Sequence, residues 1–358
     1  MTEHLDDPGV YERLDPEDIL GRIRDLPRQC RDAWERSRTF KVPTPYWKVD
    51  KLVILGMGGS AIAGDLLRSL AARRSRKSVF VCRGYELPSL VDENTLVVAC
   101  SYSGETEETL AAFSQALRGP AKKVVLTTGG RLAGLAREYE IPAFFFDYKG
   151  EPRSALGYSL MPLLALAEQV GILKEMEAEA AEAVALMGEL VQQLEPRVET
   201  AQNPAKQLAG RLQTRIPVVY GAENLTEVAH RWKTQLNENS KVWAFYEELP
   251  EAQHNAIVGY PLPREAIDRL HVVLLYHAML HPRIILRYDA TKDALADAGV
   301  GYDVVEVKGG MPLSQMLTGV LYGDFVSYYL AILNAVSPSP VAAIGELKRR
   351  LAEVPWPR

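Results

Sequence analysis

The sequence is poor in cysteine. Only three of its 358 residues are cysteines, Cys30, Cys82 and Cys100, an odd number and too few for a disulfide framework. Cys82 and Cys100 lie in apolar runs that are typical of strands, where a buried, unreactive thiol is expected. The sequence therefore predicts a protein of a reducing compartment whose fold does not depend on disulfide bonds.

The chain also lacks an excess of positive charge and a long apolar run. With 41 basic and 46 acidic residues its net charge is −5, whereas binding DNA or RNA requires a basic face. No stretch approaches the ~18 consecutive apolar residues of a membrane span. The first 25 residues are charged throughout and contain no apolar signal-peptide core. We therefore expect a cytoplasmic protein that contacts neither nucleic acid nor membrane.

Short apolar runs alternate with helical patterns in two separate parts of the chain. Such alternation predicts an α/β protein with parallel sheets covered by helices on both faces. We predict strands at residues 51–58, 79–82, 96–100, 124–127 and 143–146 in the first half, and at 218–221, 242–246, 272–276 and 302–307 in the second. Helices of the second half are predicted at 225–236, 282–298 and 312–336.

This alternation divides the chain into five segments. Residues 1–45 form an N-terminal helical segment, and residues 46–160 form the first α/β domain. A helical connector rich in Ala, Glu, Leu and Met spans residues 161–203, and the second α/β domain spans residues 204–336. A proline-marked turn then opens a tail, residues 337–358, with a short basic helix.

A glycine-rich segment, Gly56–Ser60 (GMGGS), lies where the first predicted strand gives way to a predicted helix. Backbone amides freed by Gly58 and Gly59, together with the Ser60 hydroxyl, can surround an anion at the helix N-terminus. The spacing differs from the dinucleotide fingerprint, Arg83 follows the next strand where ribose binding requires an acidic residue, and the Gly-Lys-Ser of a P-loop is missing. The segment indicates an anion site or, alternatively, only a tight turn.

A second segment, Ser101–Thr106 (SYSGET), is rich in hydroxyl groups and follows a predicted strand. Ser101, Ser103 and Thr106 come just before another predicted helix, so their hydroxyls can converge on one phosphate. Ligands of parallel sheets bind at the edge formed by the carboxyl ends of the strands. Two such segments at this edge indicate a phosphorylated small molecule, although an ordinary N-cap role for Ser103 or Thr106 is an alternative.

The combination of LGMGGSAIAGD and SYSGETEET resembles the SIS domain of sugar-phosphate isomerases and sugar-phosphate-binding regulators. The resemblance implies two SIS domains, each a flavodoxin-like, doubly wound parallel sheet flanked by helices, with connecting helices between them. It also implies that the substrate is a sugar 6-phosphate. Phosphate binding is assigned by the same resemblance to Gly58, Gly59, Ser60, Ser101, Ser103 and Thr106.

Two cationic residues take roles from a closer resemblance. The segment Glu151–Tyr158 (EPRSALGY) resembles the arginine segment of the bifunctional phosphoglucose/phosphomannose isomerases, which implies that Arg153 stabilises the negative charge of an enediolate. Lys348 matches a lysine that this family places near the substrate. From the residues alone, a surface turn for Arg153 and a solvated basic face for Lys348 remain alternatives.

A carboxylate and an imidazole complete the catalytic set implied by this resemblance. The segments Asn237–Lys241 (NENSK) and Glu251–Asn255 (EAQHN) imply Glu238 as the base and His254 as the ring-opening residue. Aldose–ketose isomerisation needs a carboxylate to move a proton between C2 and C1, and a separate group of near-neutral pKa to open the ring. From the residues alone, Glu238 as a surface residue at a helix end remains an alternative.

The resemblance implies an isomerase that interconverts glucose 6-phosphate, and also mannose 6-phosphate, with fructose 6-phosphate. It implies no cofactor and a homodimer with shared active sites, the histidine coming from the neighbouring subunit. The six histidines form no metal-binding array, so no metal is expected. Ser339 and Val341 occupy the stretch of the family's specificity threonine, which leaves the hexose preference open. A catalytically inactive, sugar-phosphate-binding regulator is the alternative.

Overall fold

The computed structural model describes residues 4–354 and contains two parallel sheets. The first sheet contains β1 (Lys51–Leu55), β2 (Ser78–Cys82), β3 (Thr95–Ser101), β4 (Lys122–Thr127) and β5 (Ala143–Phe145). The second sheet contains β6 (Ile216–Ala222), β7 (Phe245–Leu249), β8 (Leu270–Tyr276) and β9 (Gly301–Glu306). The order β2-β1-β3-β4-β5 is that of flavodoxin-like folds, and β7-β6-β8-β9 repeats it without a fifth strand. The predicted α/β fold with two doubly wound domains is confirmed.

Helices cover both faces of each sheet. In chain order they are α1 (Pro8–Leu14), α2 (Ile19–Arg24), α3 (Leu26–Thr39), α4 (Gly58–Ala72), α5 (Glu107–Leu117), α6 (Gly130–Glu138), α7 (Leu156–Gln169), α8 (Met176–Leu194), α9 (Pro204–Leu212), α10 (Thr226–Glu238), α11 (Arg264–Ile267), α12 (Pro282–Ala298), α13 (Pro312–Leu333) and α14 (Ala342–Ala352). Helices α5 and α6 lie on the outer face of the first sheet, and α12 lies on the outer face of the second.

One hydrophobic core joins the two sheets. Because side chains alternate along a strand, Leu52 and Ile54 of β1 point into this central core, whereas Val53 and Leu55 pack against the outer helices. The second sheet also contributes alternate residues to the central core. The helices between the sheets therefore belong to both halves at once.

Helix α13 is the main element of the central core. Its 22 residues are long and apolar enough to cross a membrane, but 89% of the most apolar window is buried inside the protein. It packs against α8, α9 and α10. Its apolar character is explained by burial on all sides in a protein core.

The N-terminal segment is part of the same core. Three helices, α1 to α3, place Val10, Ile23 and Trp34 in contact with it. The division into domains stays a prediction, and its boundary between residues 160 and 161 falls inside α7, which packs on both α3 and α4. The end of the predicted tail, residues 355–358, lies outside the described residues.

Two predicted boundaries in the second half are wrong. The predicted strand at 242–246 begins only at Phe245, because Val242 is held in the turn after α10, where its N–H donates to Leu236 O at 3.2 Å. The side chain of Asn237 also donates to the Val242 carbonyl at 2.8 Å. The predicted helix at 312–336 ends at Leu333, and a left-handed residue, Ala335 (φ 53°), follows it.

Candidate active site between the two sheets

The first predicted anion segment forms the start of α4. Gly58 has a left-handed φ of 49°, which favours glycine. The N-cap residue, Met57, makes no side-chain capping bond, so the N-terminal amides of α4 are open to an acceptor. Ser60 lies in the first turn and is 8% exposed. The geometry matches that of an anion site at a helix N-terminus.

The second segment places its hydroxyls around the start of α5. Thr106 is the N-cap of α5, but its side chain makes no capping bond and instead lies 2.8 Å from the Ser101 hydroxyl. The N-cap alternative for the Thr106 hydroxyl is therefore wrong. The exposed Ser103 hydroxyl accepts from the Glu105 amide at 3.2 Å. Three hydroxyl groups thus surround the uncapped start of a second helix.

The two segments lie against each other because β1 and β3 are neighbours in the sheet. Leu55 pairs with Ala99 at the carboxyl ends of these strands. A Cβ on Gly56 would lie 3.1 Å from the carbonyl oxygen of Cys100. Gly104, with φ 69°, packs so closely that a Cβ would overlap the Gly129 carbonyl. The predicted phosphate-binding residues therefore converge at one edge of the first sheet.

Arg153 lies directly beside this edge. It sits on a short 3-10 turn, Pro152–Ser154, whose backbone contacts the start of α4. A Cβ on Gly59 would lie 2.9 Å from the Pro152 carbonyl oxygen and 3.4 Å from Arg153 Cα. Glycine at this position therefore allows the arginine turn and the anion segment to meet.

The Arg153 side chain is 4% exposed and held by several hydrogen bonds. Its Nε donates to Asn239 Oδ1 at 2.7 Å, and its Nη2 donates to the carbonyl oxygens of Pro338 and Ser339, both at 2.8 Å. Its Nη1 lies 3.6 Å from Glu238 Oε2. Burial lowers the pKa of Arg153 and the Glu238 carboxylate opposes this shift, although a guanidinium remains charged. The side chain therefore presents one nitrogen towards Glu238.

Glu238 reaches Arg153 because α4 and α10 run in opposite directions. Arg68 of α4 pairs with Glu227 near the start of α10 at 2.6 Å, while the start of α4 lies beside the Arg153 turn. The side chain of Glu238, the last residue of α10, is 29% exposed. The anion edge of the first sheet, Arg153 and an accessible carboxylate thus form one continuous site. The surface-turn alternative for Arg153 is wrong.

No hydrogen bond or ion pair joins His254 or Lys348 to this site among residues 4–354 of one chain. His254 lies on the turn Glu251–His254 after β7, is exposed, and its side chain makes no hydrogen bond with any residue in the range 4–354. Lys348 is exposed on α14, a helix without buried residues, and its side chain has no hydrogen-bond or ion-pair partner in the same range. Their predicted roles stay predictions.

The sequence did not reveal the residues that orient Arg153 from behind. Arg231 donates to the Arg153 carbonyl at 2.8 Å and pairs with buried Asp324 at 3.1 Å. Ser339, on the stretch of the expected specificity threonine, lies with its hydroxyl 2.7 Å from carboxylate oxygens of Glu17 and Glu151. Glu151 and Ser339 lie in segments that the sequence analysis singled out, but no local pattern pointed to Arg231 or its partner Asp324.

The structure also brings together three residues of types that bind metals, a cluster that the spacing of the histidines in the sequence did not reveal. Ligand atoms of Asp65, Glu227 and His230 lie within 4.8 Å of one another, the first on α4 and the others on α10. Arg83 pairs with Asp65, and Arg68 contacts both carboxylates, at 3.4 Å for Asp65 and 2.6 Å for Glu227. These arginines already balance the two negative charges, so the grouping is explained as an ion-pair network between the halves.

Comparison with known proteins agrees with this architecture. A family model described as the bacterial phospho-glucose isomerase C-terminal SIS domain matches residues 201–351, and the SIS domain model matches residues 46–138. The C-terminal domain of glucosamine-fructose-6-phosphate aminotransferase from Francisella tularensis shares the fold, with a TM-score of 0.71 at 15% identity over 90% of this chain and 98% of that one.

Two curated relatives cover most of the chain. A bifunctional phosphoglucose/phosphomannose isomerase of Caldicellulosiruptor bescii is 38% identical over 93% of this chain and 98% of its own length. One of Aquifex aeolicus is 36% identical over 86% of this chain and 91% of its own length. With two SIS domains and a buried arginine between them, this chain belongs to the bifunctional phosphoglucose/phosphomannose isomerase family.

Proposed function

We propose that this protein is an aldose–ketose isomerase that interconverts glucose 6-phosphate and mannose 6-phosphate with fructose 6-phosphate. The observation that carries the proposal is the position of buried Arg153 between the anion edge of the first sheet and the carboxylate of Glu238. A phosphate held at that edge leaves the other end of the sugar facing the arginine and the base. Family membership supports the same reaction.

The phosphate end of the substrate binds at the starts of α4 and α5. The open amides of these two helices, with the hydroxyls of Ser101, Ser103 and Thr106, supply neutral donors for a doubly charged group. Ser101 and Thr106 already face each other at 2.8 Å, so they need little rearrangement to bind one anion. This arrangement gives affinity and fixes the register of the sugar chain.

The chemical step uses Glu238 and Arg153. Glu238 removes the proton at C2 of the open-chain aldose, which places the negative charge on O1 of an enediolate. The O2 hydroxyl proton passes to O1, and Glu238 returns its proton at C1 as C2 becomes the carbonyl carbon of the ketose. Arg153 stabilises that charge through Nη1, the nitrogen that faces Glu238. Glucose and mannose 6-phosphates differ only at C2 and give the same planar enediolate, so one base serves both sugars provided that the C2–C3 bond rotates before or after the transfer.

Ring opening requires His254, and the fold supports a role for it in a neighbouring subunit. Glu238 precedes β7 and His254 follows it. Glu238 ends α10 at the amino ends of the strands, whereas His254 lies beyond the carboxyl end of β7, whose five residues span roughly 16 Å at about 3.3 Å per residue. A homodimer in which each site takes Glu238 from one chain and His254 from the other removes this separation. Lys348 lies on α14, which follows the tail whose Pro338 and Ser339 carbonyls hold Arg153, so the chain that supplies Arg153 can also supply this lysine.

The remaining expectations follow from the reaction. Proton transfer between C2 and C1 needs no redox cofactor or metal, and sugar 6-phosphates are cytoplasmic metabolites, so we place the enzyme in the cytoplasm. We propose that the protein binds sugar 6-phosphates and forms a homodimer. We expect it to bind neither nucleic acid nor membranes.

The proposal is tested by assaying purified protein with glucose 6-phosphate and mannose 6-phosphate, with and without EDTA. Formation of fructose 6-phosphate from both sugars, unchanged by the chelator, is the expected result. Tight binding of sugar phosphates without turnover would favour the inactive regulator instead. Turnover of glucose 6-phosphate alone would contradict the bifunctional assignment, but it would still agree with a glucose-6-phosphate isomerase.

The shared site has its own test. Mixing inactive His254→Ala and Glu238→Gln proteins under subunit exchange should restore about one quarter of wild-type activity, because half of the dimers are mixed and each has one complete site. No recovery after exchange, verified with tagged subunits, would contradict a site built from two chains.

A further inference from the structure

Lys241, three residues after Glu238, has an unusual backbone conformation. Its φ of 58° lies in the left-handed region, which glycine adopts with less strain than any residue with a Cβ. It lies in the turn that ends α10, where Val242 N–H returns to Leu236 O. Glycine is the usual residue at such a position, so the presence of lysine here calls for an explanation in its side chain.

The Lys241 ammonium group joins two parts of the site. Its Nζ donates to the Glu238 carbonyl at 2.5 Å and to the Pro338 carbonyl at 3.0 Å, and it lies 3.4 Å from the Asn239 carbonyl. Three N–H donors of one ammonium therefore face three carbonyl oxygens. The Glu238 and Asn239 carbonyls belong to the end of α10, and the Pro338 carbonyl belongs to the tail that leads to α14.

The acceptor on the tail is shared with Arg153. The Pro338 carbonyl receives both Lys241 Nζ at 3.0 Å and Arg153 Nη2 at 2.8 Å. Because Lys241 also holds the Glu238 backbone, one side chain connects the residue that carries the base with the carbonyl that orients the arginine. A lysine that only neutralised the helix dipole would need no contact with the tail.

We propose that Lys241 is a positioning residue that fixes Glu238 and Arg153 relative to each other by tying the end of α10 to Pro338. The inference rests on the proposed isomerase function and extends it. Lys241 acts on the backbone of Glu238 and through the shared carbonyl on Arg153; no contact with substrate is required. Without the Lys241 side chain, the distance between the Glu238 carboxylate and the Arg153 guanidinium varies more. This variation lowers kcat more than it raises KM.

The protonation of Lys241 makes kcat depend on pH, an effect that a lysine with a purely structural role would not produce. Desolvation lowers the pKa of Lys241 to about 8; Arg153, from the 3-10 turn, adds to this shift, and Glu238, from α10, opposes it. The facing tail contributes the uncharged Pro338 carbonyl. Above this pH a neutral amine has two N–H donors for three carbonyls, so the contact weakens and kcat falls.

The sign for stability is opposite to the sign for activity. Since the folded pKa lies below the ordinary value of 10.5, the unfolded chain binds the proton more tightly between about pH 8 and 10.5. The contribution of Lys241 to stability therefore rises with pH in that window, while activity declines. If general unfolding caused the fall of kcat, the stability of the protein would fall together with kcat as the pH rises.

The experiment compares wild type with Lys241→Met and Lys241→Arg, and uses Lys233→Met on α10, the helix before Lys241, as the matched control. Lys233 has no side-chain partner in the described part of the chain. For Lys241→Met we expect kcat to fall about 10-fold with KM changed less than about twofold. Lys241→Arg stays charged, so it should lose the decline of kcat above pH 8 that wild type shows, and Lys233→Met should behave as wild type.

Each outcome has one interpretation. An unchanged kcat in a folded Lys241→Met protein, or an unchanged alkaline decline in Lys241→Arg, would overturn the role of Lys241. Should the methionine variant not fold, the pH profile of the arginine variant decides alone. A wild-type protein without isomerase activity would instead contradict the proposed function, which is measured first in the same assay.

Discussion

The two sheets of this protein share a strand order but differ in the residues that come after their strands. After β1 and β3 come glycines and hydroxyl-bearing residues, and the helices that start there lack side-chain caps. After β8 the chain carries His277–His281, and His281 caps α12 by accepting from the Arg283 amide at 3.1 Å. The same topology thus provides the proposed anion site in one half and a capped start of α12 in the other, while α10, the counterpart of α4, also has no side-chain cap. The glycines and hydroxyl groups after β1 and β3, and not the shared topology, therefore distinguish the proposed site.

The second half contributes from the opposite edge of its sheet. In the first half the ligand edge is formed by the carboxyl ends of the strands, as is usual for such sheets. In the second, Glu238 comes from the end of α10, which lies at the amino ends of the strands. The antiparallel packing of α4 on α10 brings these unlike edges together, so each half supplies a different chemical function.

The largest effect should come from the second half. Replacing Glu238 by Gln keeps size and hydrogen bonding but removes the base, so both isomerase activities should fall together by about 10²- to 10⁴-fold in kcat. Glu248→Gln, an exposed acid on β7, is the control and should retain activity. Steady-state kinetics with both sugars decide, and loss of one activity alone would contradict a single base.

Removal of the phosphate hydroxyls should affect binding more than turnover. Each lost hydrogen bond to a charged group costs about 1.5 to 3 kcal/mol, so a triple alanine variant of Ser101, Ser103 and Thr106 should raise KM at least about 10²-fold. The corresponding change in the second half, His281→Ala, removes a helix cap and should cost about 1 kcal/mol of stability without changing KM. An unchanged KM in the triple variant would refute the site.

Substitutions at two glycines, one in each half, distinguish effects on substrate binding from effects on stability. A Cβ on Gly104 would overlap the Gly129 carbonyl, and a Cβ on Gly221 would overlap the Leu225 carbonyl. Alanine at either position should lower the free energy of unfolding by about 2 kcal/mol or more, because the backbone must shift. Only Gly104→Ala should also raise KM. Denaturant melts and kinetics of both variants test this, and equal kinetic effects would remove the distinction between the halves.

The smallest effect is expected at the far end of the helix pair. Arg73 pairs with Glu223 there, but the arginine side chain is 67% exposed. Arg73→Met should change the free energy of unfolding by less than about 1 kcal/mol and leave both kinetic constants unchanged. A large loss of activity would show that the whole α4–α10 contact, and not only its end at Arg153, positions the site.

Both sheets and the anion segments could be predicted from the sequence because strand patterns and glycine-hydroxyl turns are local signals. The contacts of Arg153 with Pro338 and with Asn239 join positions far apart in the chain, and no periodicity encodes them. The start of β7 was misplaced because Val242 is apolar and strand-like, although its backbone N–H is used by the preceding helix. The sequence could therefore reveal features formed by neighbouring residues, but not contacts between residues far apart in the chain.

The shared central core has a consequence for unfolding. Chains built from separate domains often melt in several steps, because each domain has its own core. Here the inner face of each sheet packs on the same helices, and the core extends from Leu5 near the N-terminus to Ile332 at the end of α13. Loss of either half exposes the apolar surface of the other. We therefore expect a single cooperative transition, and either half expressed alone should aggregate rather than fold.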